Sequence, residues 1–251
     1  MLEAKEVAVF GAGGLLGSAL VNGLLDAGVR VVASDIRLDG MQHAFDARIA
    51  AGAPLLLRVL DIANKSALTA FLAEHTELDG AVNCSYPRNK AYGAHFFDVT
   101  LDSFNENLSL HLGSYFQLMQ ACAAQFVASK HPFSLVNISS VYGVISPKFE
   151  IYQNTPMTMP VEYAAIKSAL IHLSKYVVSY VADSDFRVNC VSPGGLLDDQ
   201  PREFLAAYQS HTLGTGMLTP KDMVGTIMFL LSENSKFING QNIIVDDGFS
   251  L

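Results

Sequence analysis

The stretch that decides the fold of this chain is EVAVFGAGGLLGSALVNGLLDAG, residues 6–28. Its first five residues, 6–10, are mostly apolar and predict a short buried strand. A turn rich in glycine follows, with Gly11, Gly13, Gly14 and Gly17. Leucines then recur at helical spacing, at Leu16, Leu20 and Leu24. The segment therefore predicts a strand, a tight turn and a helix, in that order.

This order of elements suits a dinucleotide pyrophosphate. Glycines let the backbone approach the phosphates, and the start of the helix offers free N–H groups and a positive dipole. The positions expected to contact such a cofactor are Gly11, Gly14, Leu16 and Gly17. Their spacing, Gly-x-x-Gly-x-x-Gly, is a variant of the common GxGxxG motif, and glycine-rich turns also serve tight packing. The turn alone leaves both interpretations open.

The next apolar run, residues 29–35, ends in Asp35, 18 residues after Gly17. A carboxylate at this place can accept hydrogen bonds from an adenosine ribose. It also repels a 2′-phosphate, so Asp35 favours NAD(H) over NADP(H). Arg37 weakens the preference for NAD(H), because an arginine at this place tolerates the 2′-phosphate of NADP(H). A turn or helix-capping aspartate is the alternative interpretation.

Strand-like and helix-like segments alternate along the rest of the chain. Further strands are predicted at 55–60, 80–84, 133–138, 187–191 and 242–245. Helices are predicted at 40–51, 65–74, 101–129 (with a break near its start), 161–182 and 220–232. This alternation predicts an α/β fold: a single-domain, Rossmann-type, doubly wound parallel sheet with helices on both faces, spanning residues 1–251.

Ligands of such sheets bind at the carboxyl ends of the strands. The residues predicted to lie at those ends are Asp35, Asp61, Asn83, Ser140 and Pro193. Two segments, 146–160 and 194–219, carry prolines or glycines and predict irregular structure after strand ends. Both are expected to overhang the site as substrate loops, with plain surface loops as the alternative.

A second chemical signal is YAAIK, residues 163–167, downstream of NISS at 137–140. Tyr163 and Lys167 are four residues apart and share one helix face. A nearby ammonium favours the phenolate, so we expect Lys167 to lower the pKa of Tyr163 and fit it for acid–base catalysis. The hydroxyl of Ser140 can hold a substrate oxygen. The trio suits proton exchange with an alcohol or a carbonyl.

Composition and net charge limit the classes of partner that the chain is expected to bind. Its 251 residues are 50% apolar, enough for one large core, and its formal charge is −8. This balance disfavours nucleic acid and anionic membranes as main partners. No metal-ligand spacing appears, and the three cysteines are expected to be buried and reduced, as in the cytoplasm. We expect neither an export signal nor a membrane span.

Taken together, these motifs resemble the short-chain dehydrogenase/reductase family, and the resemblance covers essentially the whole chain. It rests on the glycine turn, Asp35, LDI at 60–62, VN at 82–83, NISS, YAAIK, RVNCVSPGG at 187–195 and INGQNIIVDDG at 238–248. The segments SPGGLLDDQP and MTMPVEYAAIK also resemble a narrower branch, the flagellin-modification and nonulosonic-acid-pathway oxidoreductases. That branch acts on amino sugars or nucleotide sugars.

The resemblance implies an NAD-dependent transfer of hydride between nicotinamide and a secondary alcohol or ketone. Tyr163 would be the acid/base, Ser140 would hold the reacting oxygen, and Lys167 would bind the nicotinamide ribose. The remaining implied cofactor residues are Asp61 and Ile62 at adenine, Asn83 in the central strand, and Pro193 and Gly194 at nicotinamide. The resemblance also implies a homotetramer or homodimer, built on the helices at 101–129 and 161–182.

The chain departs from the family pattern at three places. Phe10 and Leu15 replace residues of the usual TGxxxGxG, and the spacing resembles the extended branch of the family. Because only 84 residues follow Lys167, we retain the single-domain assignment. Tyr86 stands where the usual NNAG has glycine, and is expected to crowd the cofactor or redirect its loop. His111 stands where the family has a catalytic asparagine, either as a proton relay or as a filler between helices.

Candidate substrate contacts are Arg88, Tyr142 and Arg202. The arginines would meet a phosphate or carboxylate, although solvated surface charge is the plainer interpretation. Tyr142 would line a sugar face. Two other functions stay open: a nucleotide sensor without turnover, and a sugar epimerase or dehydratase that retains its NAD.

Overall fold

Seven strands form one sheet in the computed structural model, which describes Leu2 and residues 5–251. They are β1 (Glu6–Phe10), β2 (Arg30–Asp35), β3 (Leu55–Val59), β4 (Gly80–Asn83), β5 (Phe133–Ile138), β6 (Phe186–Pro193) and β7 (Asn242–Val245). Neighbouring strands are parallel, in the order β3-β2-β1-β4-β5-β6-β7. The chain winds from β1 to one edge and then crosses to β4, so a crevice opens between these two strands.

Eight α-helices cover the sheet in the described residues. They are α1 (Leu15–Asp26), α2 (Leu38–Ala50), α3 (Lys65–Glu74), α4 (Leu101–Asn107), α5 (Gly113–Ser129), α6 (Val161–Val181), α7 (Arg202–Gln209) and α8 (Pro220–Leu231). A π-helical turn, Leu108–Leu112, joins α4 to α5. The break predicted near the start of the 101–129 helix is this turn. Such turns inside helices occur frequently at functional sites.

Two apolar layers bury both faces of the sheet. One layer is formed by α1, α2 and α8, with Leu20, Leu24, Met41, Phe45, Met223 and Ile227. The opposite layer is formed by α3, α5 and α6, with Phe71, Leu118, Phe126, Leu170 and Val177. Burial on both faces explains why β4, β5 and β6 are buried along their whole length. The predicted fold class is confirmed.

A third, smaller aromatic cluster covers the carboxyl edge of the sheet. Part of this cluster comes from the helix α7, which lies inside the segment 194–219. The prediction of irregular structure for that segment is therefore wrong at α7. Phe204 and Tyr208, four residues apart, are the buried face of this helix. Eight residues are too few for a helical period to stand out in the sequence. The other predicted loop, 146–160, contains a 3₁₀ turn at Phe149–Tyr152.

The boundaries of several elements also differ by one or two residues from the predicted ones. The strand β6 extends two residues further, to Pro193, because its last residues pair with β7. Across the described residues, no helix combines the length and the apolar character that crossing a membrane requires.

Candidate active site

The glycine turn between β1 and α1 brings backbone segments closer together than side chains allow. Gly11 has a φ of 76°, and a Cβ at Gly17 would lie 2.1 Å from the carbonyl oxygen of Gly11. Gly14 precedes α1, and no side chain caps the first turn of this helix. The N–H of Gly14 donates to the carbonyl of Gly11 at 3.1 Å, and the first N–H groups of α1, at Leu15, Leu16 and Gly17, have no capping side chain. The residues present fit a pyrophosphate at this place.

Two carboxylates lie at the strand ends beside this turn. Asp35 ends β2, and its Oδ2 accepts a hydrogen bond from the N–H of Gly13 at 3.0 Å. Its Oδ1 accepts one from the N–H of Arg37 at 3.3 Å. Asp61 follows β3 and accepts from a backbone N–H two residues later, next to the buried Ile62. Each carboxylate is oriented by the backbone and retains lone pairs for ribose or adenine groups.

The catalytic trio predicted from the sequence comes together at the same edge of the sheet. Tyr163 and Lys167 lie one turn apart on α6, and the Nζ of Lys167 is 5.6 Å from the ring centroid of Tyr163. The Nζ also donates a hydrogen bond to the carbonyl of Ile138 at 2.8 Å. Ser140 lies just beyond β5 and is 4% exposed. Its Oγ accepts a hydrogen bond from the N–H of Tyr142 at 3.1 Å.

The protonation of the trio differs from the sequence prediction. Burial raises the pKa of Tyr163, and the nearby Ser140 hydroxyl opposes only part of that rise. Burial also lowers the pKa of Lys167 from 10.5 to about 7. The expected lowering of the tyrosine pKa by the ammonium is therefore wrong for the protein alone. Removal from water is the largest cause of both pKa shifts.

His111 lies directly beside this lysine. It occupies the π-helical turn, is 1% exposed, and places its Nε2 3.3 Å from the Nζ of Lys167. Burial, with a smaller contribution from the charge of Lys167, lowers the pKa of His111 to about 2. The imidazole is thus neutral, and its Nε2 can accept a hydrogen bond from Lys167. Its Nδ1 is buried without a partner in the described chain.

Tyr86 lies in the loop after β4 and contacts the residues of the predicted site. Its ring packs edge-on against Tyr163, with centroids 5.8 Å apart, and against His111 at 5.1 Å. The hydroxyls of Tyr86 and Tyr92 are hydrogen bonded, which closes the loop on itself. The Nζ of Lys167 lies 5.8 Å from the Tyr86 ring centroid. The ring that replaces the family glycine is therefore one wall of the site.

The other predicted cofactor residues lie at their expected strand ends. Asn83, at the end of β4, is fully buried, and its Oδ1 accepts a hydrogen bond from the N–H of Ser85 at 3.1 Å. Pro193 ends β6, and the N–H of Gly194 donates to the carbonyl of Val245 at 2.8 Å. Both residues are buried at the carboxyl edge of the sheet.

The structure brings two of the three predicted substrate contacts near the trio. The guanidinium of Arg88 lies 5.0 Å from the ring centroid of Tyr86. Tyr142 is buried in the aromatic cluster that also contacts Tyr163. Arg202 lies exposed at the first position of α7, and the geometry does not place it against Tyr163.

Sequence reasoning missed three buried residues of this region. Tyr115, one helical turn after His111, donates a hydrogen bond to the carbonyl of Asn83 at 3.1 Å, and its helical spacing could have been the signal. Glu162 is fully buried next to Tyr163, whereas an acid in the first turn of a helix is usually exposed. Tyr208 gave no sequence signal, because it lies in a segment predicted to be irregular.

The strand order, the open helix start at the glycine turn and the tyrosine–lysine pair beside it define a nicotinamide-dependent oxidoreductase of the Rossmann type. A family model described as Enoyl-(Acyl carrier protein) reductase matches residues 11–250. The chain belongs to the short-chain dehydrogenase/reductase family. It is therefore an enzyme that acts on CH–OH groups with a nicotinamide cofactor and a small-molecule substrate, as the sequence predicted.

Relatives of the chain cover its full length. It is 35% identical over 263 residues to the post-translational flagellin modification protein A of Campylobacter coli, with 100% of both chains covered. It is 28% identical to the L-rhamnose 1-dehydrogenase (NAD(P)(+)) of a Sphingomonas species, covering 99% of this chain and 97% of that one. A crystal structure of a short-chain dehydrogenase from Leptospira borgpetersenii with bound NAD+ matches with a TM-score of 0.86 and 29% identity, over 100% of this chain and 94% of that chain.

Proposed function

We propose that the chain is an NAD-dependent dehydrogenase or reductase that transfers a hydride between nicotinamide and a secondary alcohol or ketone of a carbohydrate. The observation that carries this proposal is the meeting of Ser140, Tyr163 and Lys167 at the sheet edge that also holds the glycine turn. When bound, the nicotinamide accepts or supplies the hydride. The chain orients the two reactants and moves the accompanying proton.

Tyr163 takes the proton of the substrate hydroxyl during oxidation and returns it during reduction. Ser140 donates a hydrogen bond to the same substrate oxygen from its buried position beside Tyr163. The pKa of Lys167 is about 7, so this group exchanges protons near neutral pH.

His111 serves as the next group of the proton path. Its neutral Nε2 accepts a hydrogen bond from Lys167 at 3.3 Å, where the family usually has an asparagine. The unpartnered Nδ1 offers a second point for proton transfer on the far side of the ring. A filler histidine would not need this contact with the lysine.

Asp35 makes NAD(H) the preferred cofactor. Its carboxylate is oriented by the N–H groups of Gly13 and Arg37 at the end of β2. This fixed negative charge repels a ribose 2′-phosphate. Arg37 is exposed, and among the described residues no ion pair joins it to Asp35.

A carbohydrate substrate is supported by the chemistry of the site wall and by the names of two relatives. The tyrosines at 86 and 142 offer aromatic faces and Arg88 offers a cation beside the trio. One relative is named for flagellin modification and another for L-rhamnose oxidation. Amino sugars and nucleotide sugars are the first candidates, in keeping with the narrower branch. The segments 146–160 and 194–219 act as substrate loops, because both contribute to the aromatic cluster around Tyr163.

Residues 1–251 form one catalytic domain that assembles into a homodimer or homotetramer in the cytoplasm. The helices α5 and α6 expose large apolar groups, including Phe116 (44%), Val127 (58%) and Tyr176 (61%). Such a surface suits contact with a second copy.

The test is a screen of purified protein with NAD and NADP against sugar nucleotides, amino sugars and simple secondary alcohols, read as NADH or NADPH formation. The proposal expects NAD-dependent turnover with a carbohydrate. Cofactor binding without redox change on any compound would support a sensor instead. Cofactor that copurifies, with substrate converted but no net NADH released, would support an epimerase or dehydratase.

A further inference from the structure

The helix α7 contacts the residues just after the C-terminal end of β6 through one buried side chain. Tyr208 is 3% exposed, and its hydroxyl accepts a hydrogen bond from the N–H of Gly195 at 2.6 Å. A Cβ at Gly194 would lie 2.7 Å from this hydroxyl, and one at Gly195 would lie 3.0 Å from the Tyr208 ring. Only glycines at both positions allow the phenol to come this close. The contact therefore fixes the backbone turn that follows Pro193.

The ring of Tyr208 is held from its other side by the C-terminal segment. It stacks on Phe249 with centroids 4.2 Å apart and ring planes 5° apart. Phe249 is fully buried, and its segment is anchored by Asp246, which accepts hydrogen bonds from two backbone N–H groups, those of Gly248 and Ser250. Stacking fixes the ring plane, and so fixes where the hydroxyl lies.

The same C-terminal segment also binds the residues that follow α7. The Oδ2 of Asp247 accepts hydrogen bonds from the N–H groups of Gly214 and Gly216, at 3.0 and 3.3 Å. The N–H of Leu218 donates to the carbonyl of Gly195 at 2.8 Å. Segment 194–219 is thus joined to the end of β6 and to the C-terminal segment by contacts at the last turn of α7 and after it.

We propose that Tyr208 is a positioning residue that couples the substrate segment 194–219 to the nicotinamide side of the site. Its hydroxyl sets the Gly194–Gly195 turn, and its ring, clamped by Phe249, sets α7. A shift of α7 on substrate binding is then transmitted to the turn beside the nicotinamide. This inference rests on the proposed function, because it takes the turn after Pro193 as the nicotinamide wall.

The test compares Tyr208→Phe with Tyr180→Phe in the full chain. Both changes remove one hydroxyl, but Tyr180 lies on α6 with 79% of its surface exposed. Tyr208→Phe keeps the ring stack and leaves the part-buried N–H of Gly195 without its partner. We therefore expect NADH to bind about 3- to 10-fold more weakly and the KM for NAD to rise by a similar factor. The pH profile of kcat is expected to stay unchanged, because the proton path is intact.

A second variant keeps the proposal testable if the first one folds poorly. Phe249→Leu keeps the Tyr208 hydroxyl and removes its clamp. In the double variant with Tyr208→Phe, the effects on NADH binding are expected to be less than additive, because both act through one contact. Wild-type affinity for NADH in Tyr208→Phe, or full additivity in the double variant, would overturn the coupling.

The outcomes also separate this inference from the proposed function. If the wild-type protein binds and reduces NAD but Tyr208→Phe behaves like Tyr180→Phe, only the coupling fails. If Tyr208→Phe lowers thermal stability and leaves the Kd for NADH unchanged, the tyrosine is merely structural and the coupling is again wrong. If the wild-type protein shows no redox activity in the substrate screen, the proposed function itself fails.

Discussion

Replacing Lys167 by methionine is predicted to stabilise the fold while it removes activity. Lys167 is 3% exposed, and burial lowers its pKa from 10.5 to about 7. At pH 7 the unfolded lysine is therefore protonated far more completely than the folded one. At about 1.4 kcal/mol for each unit, this difference favours unfolding by about 4 kcal/mol.

Methionine has a similar shape and no charge, so the variant is freed of this penalty. It also loses two hydrogen bonds of Nζ, one to the carbonyl of Ile138 and one to the Nε2 of His111. At about 0.5–1.5 kcal/mol each, their loss costs about 1–3 kcal/mol. We expect Lys167→Met to unfold with a free energy about 1–3 kcal/mol higher than the wild type at pH 7. Its turnover is expected to be lost.

The pH dependence gives the sharper test. Because the folded pKa of Lys167 is lowered, the folded protein binds fewer protons between pH 7 and 10.5, and its stability rises with pH across that window. The penalty is present in full below pH 7. The advantage of the methionine variant should shrink by about 2 kcal/mol from pH 7 to pH 9, while titrating groups common to both proteins cancel.

Urea unfolding followed by circular dichroism at several pH values measures this difference, since the chain has no tryptophan for fluorescence. Parallel stability curves for the two proteins across this range would refute the argument that Lys167 is buried at a cost.

Three further predictions concern the cofactor turn and the proton path. Gly17→Ala places a Cβ 2.1 Å from the carbonyl oxygen of Gly11, so the variant should fold but lose NADH binding, measured by fluorescence titration. Retained affinity for NADH would contradict the role of the glycine turn in binding the pyrophosphate. Asp35→Ser should raise the ratio of kcat/KM for NADP over NAD by about tenfold or more, and an unchanged ratio would remove the case for NAD preference. His111→Ala should lower kcat by roughly 10- to 100-fold and shift its pH profile, whereas His111→Gln should keep part of the activity; a profile identical to that of the wild type in His111→Ala would end the relay hypothesis.

Much of the fold could be predicted from the sequence because local patterns and global topology agree. The apolar runs of β4 and β5 and the glycine turn at Gly11 mark buried strands and a crossover, whatever the rest of the chain does. Residues at strand ends then had to meet at one edge of the sheet. This is why Asp35, Asn83 and Ser140 could be placed at one edge of the sheet without coordinates.

The parts that were missed depend on packing between distant segments. The pKa of Tyr163 is raised because the site is dry, and part of that dryness comes from Tyr86, which arrives from another loop. No spacing within YAAIK contains this information. The helix α7 was missed for a related reason, since its stability comes from Tyr208 stacking on Phe249, 41 residues later in the chain.

In the proposed reaction, Tyr163 exchanges the substrate proton while the nicotinamide exchanges the hydride. The most direct measurement compares Tyr163→Phe with Tyr180→Phe on the best substrate of the screen, reading both turnover and NADH affinity. We expect Tyr163→Phe to lose at least about 100-fold in kcat, with NADH affinity close to that of the wild type and Tyr180→Phe unaffected. Turnover by Tyr163→Phe at the wild-type rate would contradict the account.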